Sequence, residues 1–381
     1  MQVSLHRFNA ETGWDNPLNG EMDSSQTLVI VFSDPRPNTA LKTELSGLHR
    51  KYPESILIGC SSSGEIYGED LSDESLVVGV LRFQDTRLKL AHVPINDADE
   101  SEAVGQMLAE QLAADDLTAV FTLTDGLLVN GSAYIQSLDS ALPKGVIVTG
   151  GLAGDGDRFE KTWLLYNGET LTGQVAAVGL YGNSVHVAHG SRGGWDLLGP
   201  EREVTRAEGN VLYSLDGQPA LQVYKKYLGD RADGLPATGL LFPLAIRNEE
   251  GTDGLTVRTI LAVNEQKQSI TFAGDVPEGC FVKLMRANFD RLVDGAAHAA
   301  ESITLDDYQN SPALCIAISC VGRRLVLGPR VEEEIEAVRE SLPPEAGLIG
   351  YYSYGEISPL ASGRCDLHNQ TMTLTLIWEN C

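Results

Sequence analysis

Three stretches of this chain repeat one order of strand, helix, strand and closing strand, and that repetition narrows the available folds more than any other feature. The first reads TLVIVFSD, a helical segment, ILIGCSSSGEIYG and SLVVGVLRF. The second reads TAVFTLTDG, a helical segment, GVIVTGGLAGDG and QVAAVGLYG. The third reads ALCIAISCVG, a helical segment, GLIGYYSYGEISP and QTMTLTLIWE. From the end of the first strand to the glycine closing the second, the steps are 27 residues (Phe32 to Gly59), 29 (Phe121 to Gly150) and 32 (Ile318 to Gly350). Each is the length of a βαβ unit, about 30 residues.

The helical segments agree with this reading. Leu41, Leu45, Leu48 and Tyr52 recur at the spacing of one helix face, as do Val331, Ile335, Val338 and Leu342. Proline follows both, at Pro53 and Pro343, where it helps to stop the helix. The expected fold class is therefore α/β, with two packed subdomains built from repeated β-α-β-β units and mixed sheets. A further amphipathic helix is expected over 98–114, with Ala103, Val104, Met107, Leu108 and Leu112 on one face. The region between the second and third copies reads differently. There we expect a helix at 218–228, a strand pair around 237–247 and 256–264, and a helix around 285–301, with RADGLP and RNEEGTDG as turns.

At 381 residues the chain exceeds the about 250–300 at which single cores stop growing. We place a domain boundary near residue 222, between a first domain over 25–222 and a second over 223–381. No low-complexity linker marks it, so the halves are expected to pack closely. The 28 Lys and Arg against 53 Asp and Glu give a net charge of −25, which repels phosphate backbones and anionic leaflets. Nucleic acid and membrane are therefore not expected partners. With no run near 18 apolar residues and no signal-peptide core, a cytoplasmic location is expected. None of the six cysteines, Cys60, Cys280, Cys315, Cys320, Cys365 and Cys381, forms a CxxC pair, and several sit in apolar strands as small hydrophobes.

Ligands in open α/β sheets sit beyond the carboxyl ends of the strands. The loops expected there are 60–68, 151–162 and 351–359. Two of them share a triplet, Gly64-Glu65-Ile66 and Gly355-Glu356-Ile357, preceded by hydroxyls that include Ser61, Ser63, Tyr352 and Tyr354. Such a repeated carboxylate serves either a shared pocket or a repeated structural turn. The loops lack a Walker lysine and a dinucleotide fingerprint, there is no nucleophile elbow, and no HExxH occurs. An enzyme is not expected. Among the histidines His189 stands out, because its strand SVHVAHG runs into SRGGWDLLGP with Arg192 and Trp195. His298 lies among small helical residues and His368 follows the third repeat's loop.

Taken together, GCSSSGEI, TDGLLVNGS, GGLAGDGDRFEKT, SRGGWDLLGP with VTRAEGNVLYSLDGQPAL, and GYYSYGEISP with LHNQTMTLTL resemble the FIST N-terminal and C-terminal domains, over roughly residues 25–381. FIST proteins are bacterial and archaeal signal-transduction sensors. The resemblance implies a stand-alone sensor of the haem-binding, nitric-oxide-sensing branch, acting through a histidine kinase or a cyclic-di-GMP enzyme and admitting a homodimer. Non-covalent haem b would need an axial imidazole, an apolar slot and cations for the propionates. His189 would be the axial ligand, with His298 and His368 as rivals, Arg192 or Arg202 near a propionate, and Trp195 as a ring wall. The alternative is a sensor for an amino acid or similar metabolite, in which Glu65 and Glu356 meet an ammonium and Arg192 a carboxylate.

Overall fold

The repeated grammar becomes three sheets of one design in the computed structural model, which describes residues 1–247, 255–360 and 362–380. In each, two strands rich in branched residues run parallel. The pairs are Thr27–Ser33 with Ile56–Ser61, Leu117–Thr124 with Ile147–Leu152, and Ala313–Cys320 with Ala346–Ser353. The closing strands Ser75–Arg82, Gln174–Tyr181 and Met372–Glu379 lie antiparallel to the first of each pair. An outer strand then completes each copy: Gln2–Asn9, Arg87–Pro94 and Val185–Arg192. Each repeat thus begins one strand earlier than its motifs reveal.

The copies are joined by a cyclic exchange of hairpins. Glu65–Tyr67 with Asp70–Ser72, from the first repeat, adds to the sheet of the third. Glu356–Pro359 with Cys365–His368, from the third, adds to the sheet of the second. Leu164–Tyr166 with Glu169–Leu171, from the second, adds to the sheet of the first. The Gly-Glu-Ile triplets, expected in loops, are therefore the starts of donated strands. Pairing across repeats satisfies backbone groups that would otherwise be orphaned in the core.

The repeated glycine has a steric cause. A Cβ on Gly59, Gly150 or Gly350 would lie 2.2, 1.8 or 1.9 Å from the carbonyl oxygen of Val31, Thr122 or Ala317 on the neighbouring parallel strand. No side chain fits there. Leu41, Leu45, Leu48 and Tyr52 are buried as their spacing requires, and so are Val331, Ile335, Val338 and Leu342. In the third covering helix, Ser101–Leu112, the buried face is instead Val104, Gly105, Leu108, Ala109 and Leu112. Ala103 and Met107 point outward, because Gly105 is pressed against the backbone of Tyr134 and sets the helix's rotation.

A fourth sheet of eight strands is inserted into the third repeat, between Val185–Arg192 and the helix Phe289–Glu301. Its long strand Asp196–Glu208 pairs with Phe281–Arg286 in its first half and with Val211–Leu215 in its second. Leu255–Arg258 and Ile260–Asn264 form opposite ends of the sheet yet are separated only by Thr259, so the sheet folds back on itself around the buried helix Ala220–Leu228. Residue 222 lies inside that helix. By strand pairing the inserted sheet runs from about residue 193 to about 288, because the first strand of the third repeat precedes the insert. The segment 237–247 is a short 3-10 turn followed by Leu244–Arg247, and Phe281–Arg286 is strand where the expected helix over 285–301 would begin. The expected turn RNEEGTDG lies, from residue 248 on, outside the described residues, as does Cys381. The five described cysteines are buried, and Cys60, Cys315, Cys320 and Cys365 are free thiols. Among the described residues no helix is long and apolar enough to cross a membrane.

Candidate functional site

The edge strand Val185–Arg192 builds the most distinctive cavity. On one side it pairs with Met372–Glu379; its other edge faces the seam with the inserted sheet. Gly190 lets the helix Phe289–Glu301 settle on the strand, since a Cβ there would stand 1.9 Å from the carbonyl of Ala299. Beyond it the chain turns through Gly193 and Gly194 to Trp195, whose indole N–H donates to the carbonyl of Gln370 at 2.8 Å.

The resulting cavity of about 410 Å³ holds His189, Arg192 and Trp195 from this strand and turn. His368 and Pro359 enter from the donated hairpin, and Val257 and Met285 from the inserted sheet. A second cavity of about 430 Å³ meets it at His189 and Ser302. These volumes lie in the range of small-ligand sites.

Two imidazoles face this space in different states of engagement. His368 Nε2 lies 2.9 Å from the carbonyl of Ser358 and Nδ1 3.4 Å from Ser191 Oγ. His189 is half-buried, and among the described residues its ring has no hydrogen-bond partner. Burial, followed by the neighbouring His368, holds its pKa below the ordinary histidine value. It is neutral at pH 7, with a nitrogen lone pair free to bind. Burial likewise lowers His368, against the opposing charge of Asp366. Among the described residues, the guanidinium of Arg192 at the mouth makes only a 3.5 Å contact with the carbonyl of Ser191.

The other sequence-derived candidates sit elsewhere. Arg202 is held in the inserted sheet by Asp216, at 2.6 Å, and by the hydroxyl of Tyr227, at 2.7 Å. His298 is exposed on its helix, 4.0 Å from Glu301. Tyr352 is fully buried and donates to Glu334 at 2.6 Å. Tyr354 donates to Asp155 and stacks on Phe159 at 4.5 Å.

Glu65 and Glu356 are buried twins. Glu65 accepts from Ser62, from Ser75 Oγ at 2.7 Å and from Ser75 N–H at 3.2 Å. Glu356 accepts from Ser353 at 2.9 Å, Thr371 Oγ1 at 2.8 Å and Thr371 N–H at 3.2 Å. In both, the carboxyl ties the donated hairpin to the start of a closing strand, so the pair does not form a shared pocket. Burial pushes both up to about 8, against those hydrogen bonds.

Two buried arginines escaped the sequence reading. Arg323 and Glu334 pair at 2.6 Å with both side chains at 0 % exposure. Arg323 also donates to the carbonyls of Gly193 at 2.5 Å and Leu292 at 2.8 Å, one on the connection into the inserted sheet and one on the helix that follows it. Glu334 was detectable: it falls on the same helix face as Val331 and Val338, an acid where the period requires an apolar residue. Arg258 donates to the carbonyls of Asp275 at 2.9 Å and Leu367 at 3.0 Å, tying the insert to the donated hairpin beside His368. Its strand position carried no such signal. Among the described residues, no three His, Cys, Asp or Glu side chains group as a metal site.

Comparison with known proteins adds two findings. Residues 27–218 match the FIST N domain and residues 220–359 match the FIST C domain. An uncharacterized protein of Methanocaldococcus jannaschii is 25% identical over 393 aligned residues, covering 93% of this chain and 73% of its own length.

Proposed function

The chain belongs to the FIST family of sensory signal-transduction domains, and from that premise we propose that it is a cytoplasmic, non-enzymatic sensor that holds haem b in the cavity around His189 and responds to nitric oxide. The observation that carries this reading is the neutral imidazole of His189, which among the described residues has no hydrogen-bond partner, in a ligand-sized cavity.

The donor set fits the group. His189 would offer a nitrogen to the iron, Trp195, Val257 and Met285 would supply apolar walls, and Arg192 at the mouth would meet a propionate. His368, tied to Ser358, would sit as a second imidazole in the same space. Haem, when bound, supplies the iron at which nitric oxide is taken up. The protein's part is to keep His189 unprotonated, to exclude water with the indole and aliphatic walls, and to anchor the carboxylates. Because the walls come from both the repeat core and the inserted sheet, an occupant that contacts the two unequally in its two states shifts how they sit together. A partner histidine kinase or cyclic-di-GMP enzyme would read that shift.

Titration of the protein with haem, followed by reduction and exposure to nitric oxide, tests this. A saturable one-to-one Soret band that moves with the gas is expected. It should be lost in His189→Ala and kept in His298→Ala and His368→Ala. Retention in all three overturns the His189 assignment, and non-saturating uptake overturns the haem reading.

A second reading, a sensor of an amino acid or similar metabolite without haem, is favoured by a cavity of about 490 Å³ at the carboxyl ends of the strands. Asp34, Asp157 and Arg158 line it, and Arg324 enters already paired with Asp73. The ammonium would meet these aspartates rather than Glu65 or Glu356. A colourless protein stabilised by about 2.7 kcal/mol at 100 times Kd of an added amino acid would establish it.

A further inference from the structure

The three repeat junctions are built alike, and one of them is open. At each, a covering helix faces the outer part of a donated hairpin. In the second repeat, the helix Gly131–Ala141 packs directly on Cys365–His368; Leu367 is fully buried there, and a Cβ on Gly131 would stand 2.8 Å from it. In the third, the helix Val331–Ser341 packs on Asp70–Ser72, with Leu71 against the core and Arg324 paired with Asp73. In the first, the helix Thr39–Lys51 and the hairpin Leu164–Leu171 leave a cavity of about 500 Å³ between them.

The lining of that cavity reverses the charge of the protein. The chain carries 53 acids against 28 bases, yet Arg36, Lys42 and Lys161 line this cavity and no carboxylate does. Arg36 pairs with Glu160 outside the lining, whereas among the described residues Lys42 and Lys161 make no ion pair. The helix lines the cavity with Lys42, Leu45 and Ser46; Asn38 caps its start by accepting from Leu41 N–H at 3.0 Å, and its first turn holds no acid. Hydroxyls of Ser46, Thr170 and Thr172 stand on the walls.

The floor is rigid. Trp163 is buried and its indole N–H donates to the carbonyl of Pro35 at 3.2 Å. The backbone carrying Lys161 is fixed by Asp155, which accepts the N–H groups of Phe159, Glu160 and Lys161 at 2.9 Å each and the hydroxyl of Tyr354. Loop residues whose backbone is tied this closely do not need to be ordered on binding. Two unpaired ammonium groups in a fixed concave frame raise the local potential and recruit an anion, against the repulsion of the rest of the surface.

We propose that this junction is a binding site for a small organic anion bearing a phosphate or carboxylate group, held by Lys42 and Lys161 with Arg36 at the rim and its apolar part against Trp163 and Leu45. The site is separate from the His189 cavity and does not depend on the haem reading.

Calorimetric titration of the intact protein with inorganic phosphate and, separately, with succinate tests it. Saturable one-to-one binding of phosphate assigns a phosphate-bearing ligand, and saturable binding of succinate alone assigns a carboxylate-bearing one. Lys42→Gln and Lys161→Gln should each weaken the bound anion about tenfold, the effect of losing one charge-assisted hydrogen bond. Lys144→Gln, a remote exposed lysine, should leave it unchanged. Binding of neither anion, or weakening by Lys144→Gln equal to that by Lys161→Gln, overturns the proposal. The Soret titration described above is unaffected by any of these three substitutions, so the two readings fail independently.

Discussion

Glu65 and Glu356 read in sequence as candidate ligand-site residues, and so does His189; their surroundings separate them. Each glutamate satisfies both carboxyl oxygens with hydroxyls and an N–H of its own fold. Among the described residues His189 has no such partner, and it lines the cavity. The difference is instructive: a motif that recurs because the architecture recurs is answering a structural need, whereas a singular residue beside a seam is available for binding.

The strongest way to test the closed side is at its most buried charge. Glu334→Ala strands Arg323 without its carboxylate and should lower unfolding stability by about 3–5 kcal/mol, measured by denaturant titration. An effect below about 1 kcal/mol would mean that water or backbone carbonyls already carry the guanidinium. Next in size, Glu356→Ala leaves Ser353 and Thr371 unsatisfied and should cost about 2–3 kcal/mol, with Glu65→Ala similar. If either change were neutral while abolishing ligand binding, the contrast between clamp and site would break.

The pH dependence sharpens the same contrast. Both glutamates have a folded pKa near 8, above the unfolded value of 4.5. Their contribution to stability is therefore complete below about 4.5 and is lost as pH rises toward 8. The lowered pKa values of His189 and His368 act in the opposite sense, with stability present above 6.5 and lost as pH falls. Between pH 6.5 and 8 those imidazoles can only raise stability as pH rises, so a decline there belongs to the glutamates. It should flatten in a Glu65→Gln, Glu356→Gln double variant followed by thermal unfolding at several pH values; an unchanged slope would reject the assignment. The smallest effect is expected at the open side. His189→Ala should alter stability by less than about 1 kcal/mol, because it removes no hydrogen bond among the described residues, while eliminating occupancy of the cavity.

Much of the fold was legible because periodicity reports local burial. The apolar faces of the helices beginning near Thr39 and Val331 could be read directly, and so could the three parallel strand pairs. The face of the helix Ser101–Leu112 was misjudged, since Gly105 carries no hydrophobic signal yet sets the rotation. Of the site, His189, Arg192 and Trp195 were legible as neighbours in one stretch. His368 was legible only as one histidine among seven. Arg202 looked equally close in the chain, but the bend of the strand Asp196–Glu208 carries it to Asp216.

By itself the sequence determined the repeating unit, the helix faces, the closing glycines and the acidic surface. All of these depend on residues within one unit and on the side chains they present. The tertiary structure decided which repeat receives each hairpin, that Val185–Arg192 belongs to the third sheet across an inserted one, and which junction stays open. Strand pairing is made by backbone N–H and C=O groups that are the same in nearly every residue, so the partner is chosen by how whole faces pack and not by any local pattern.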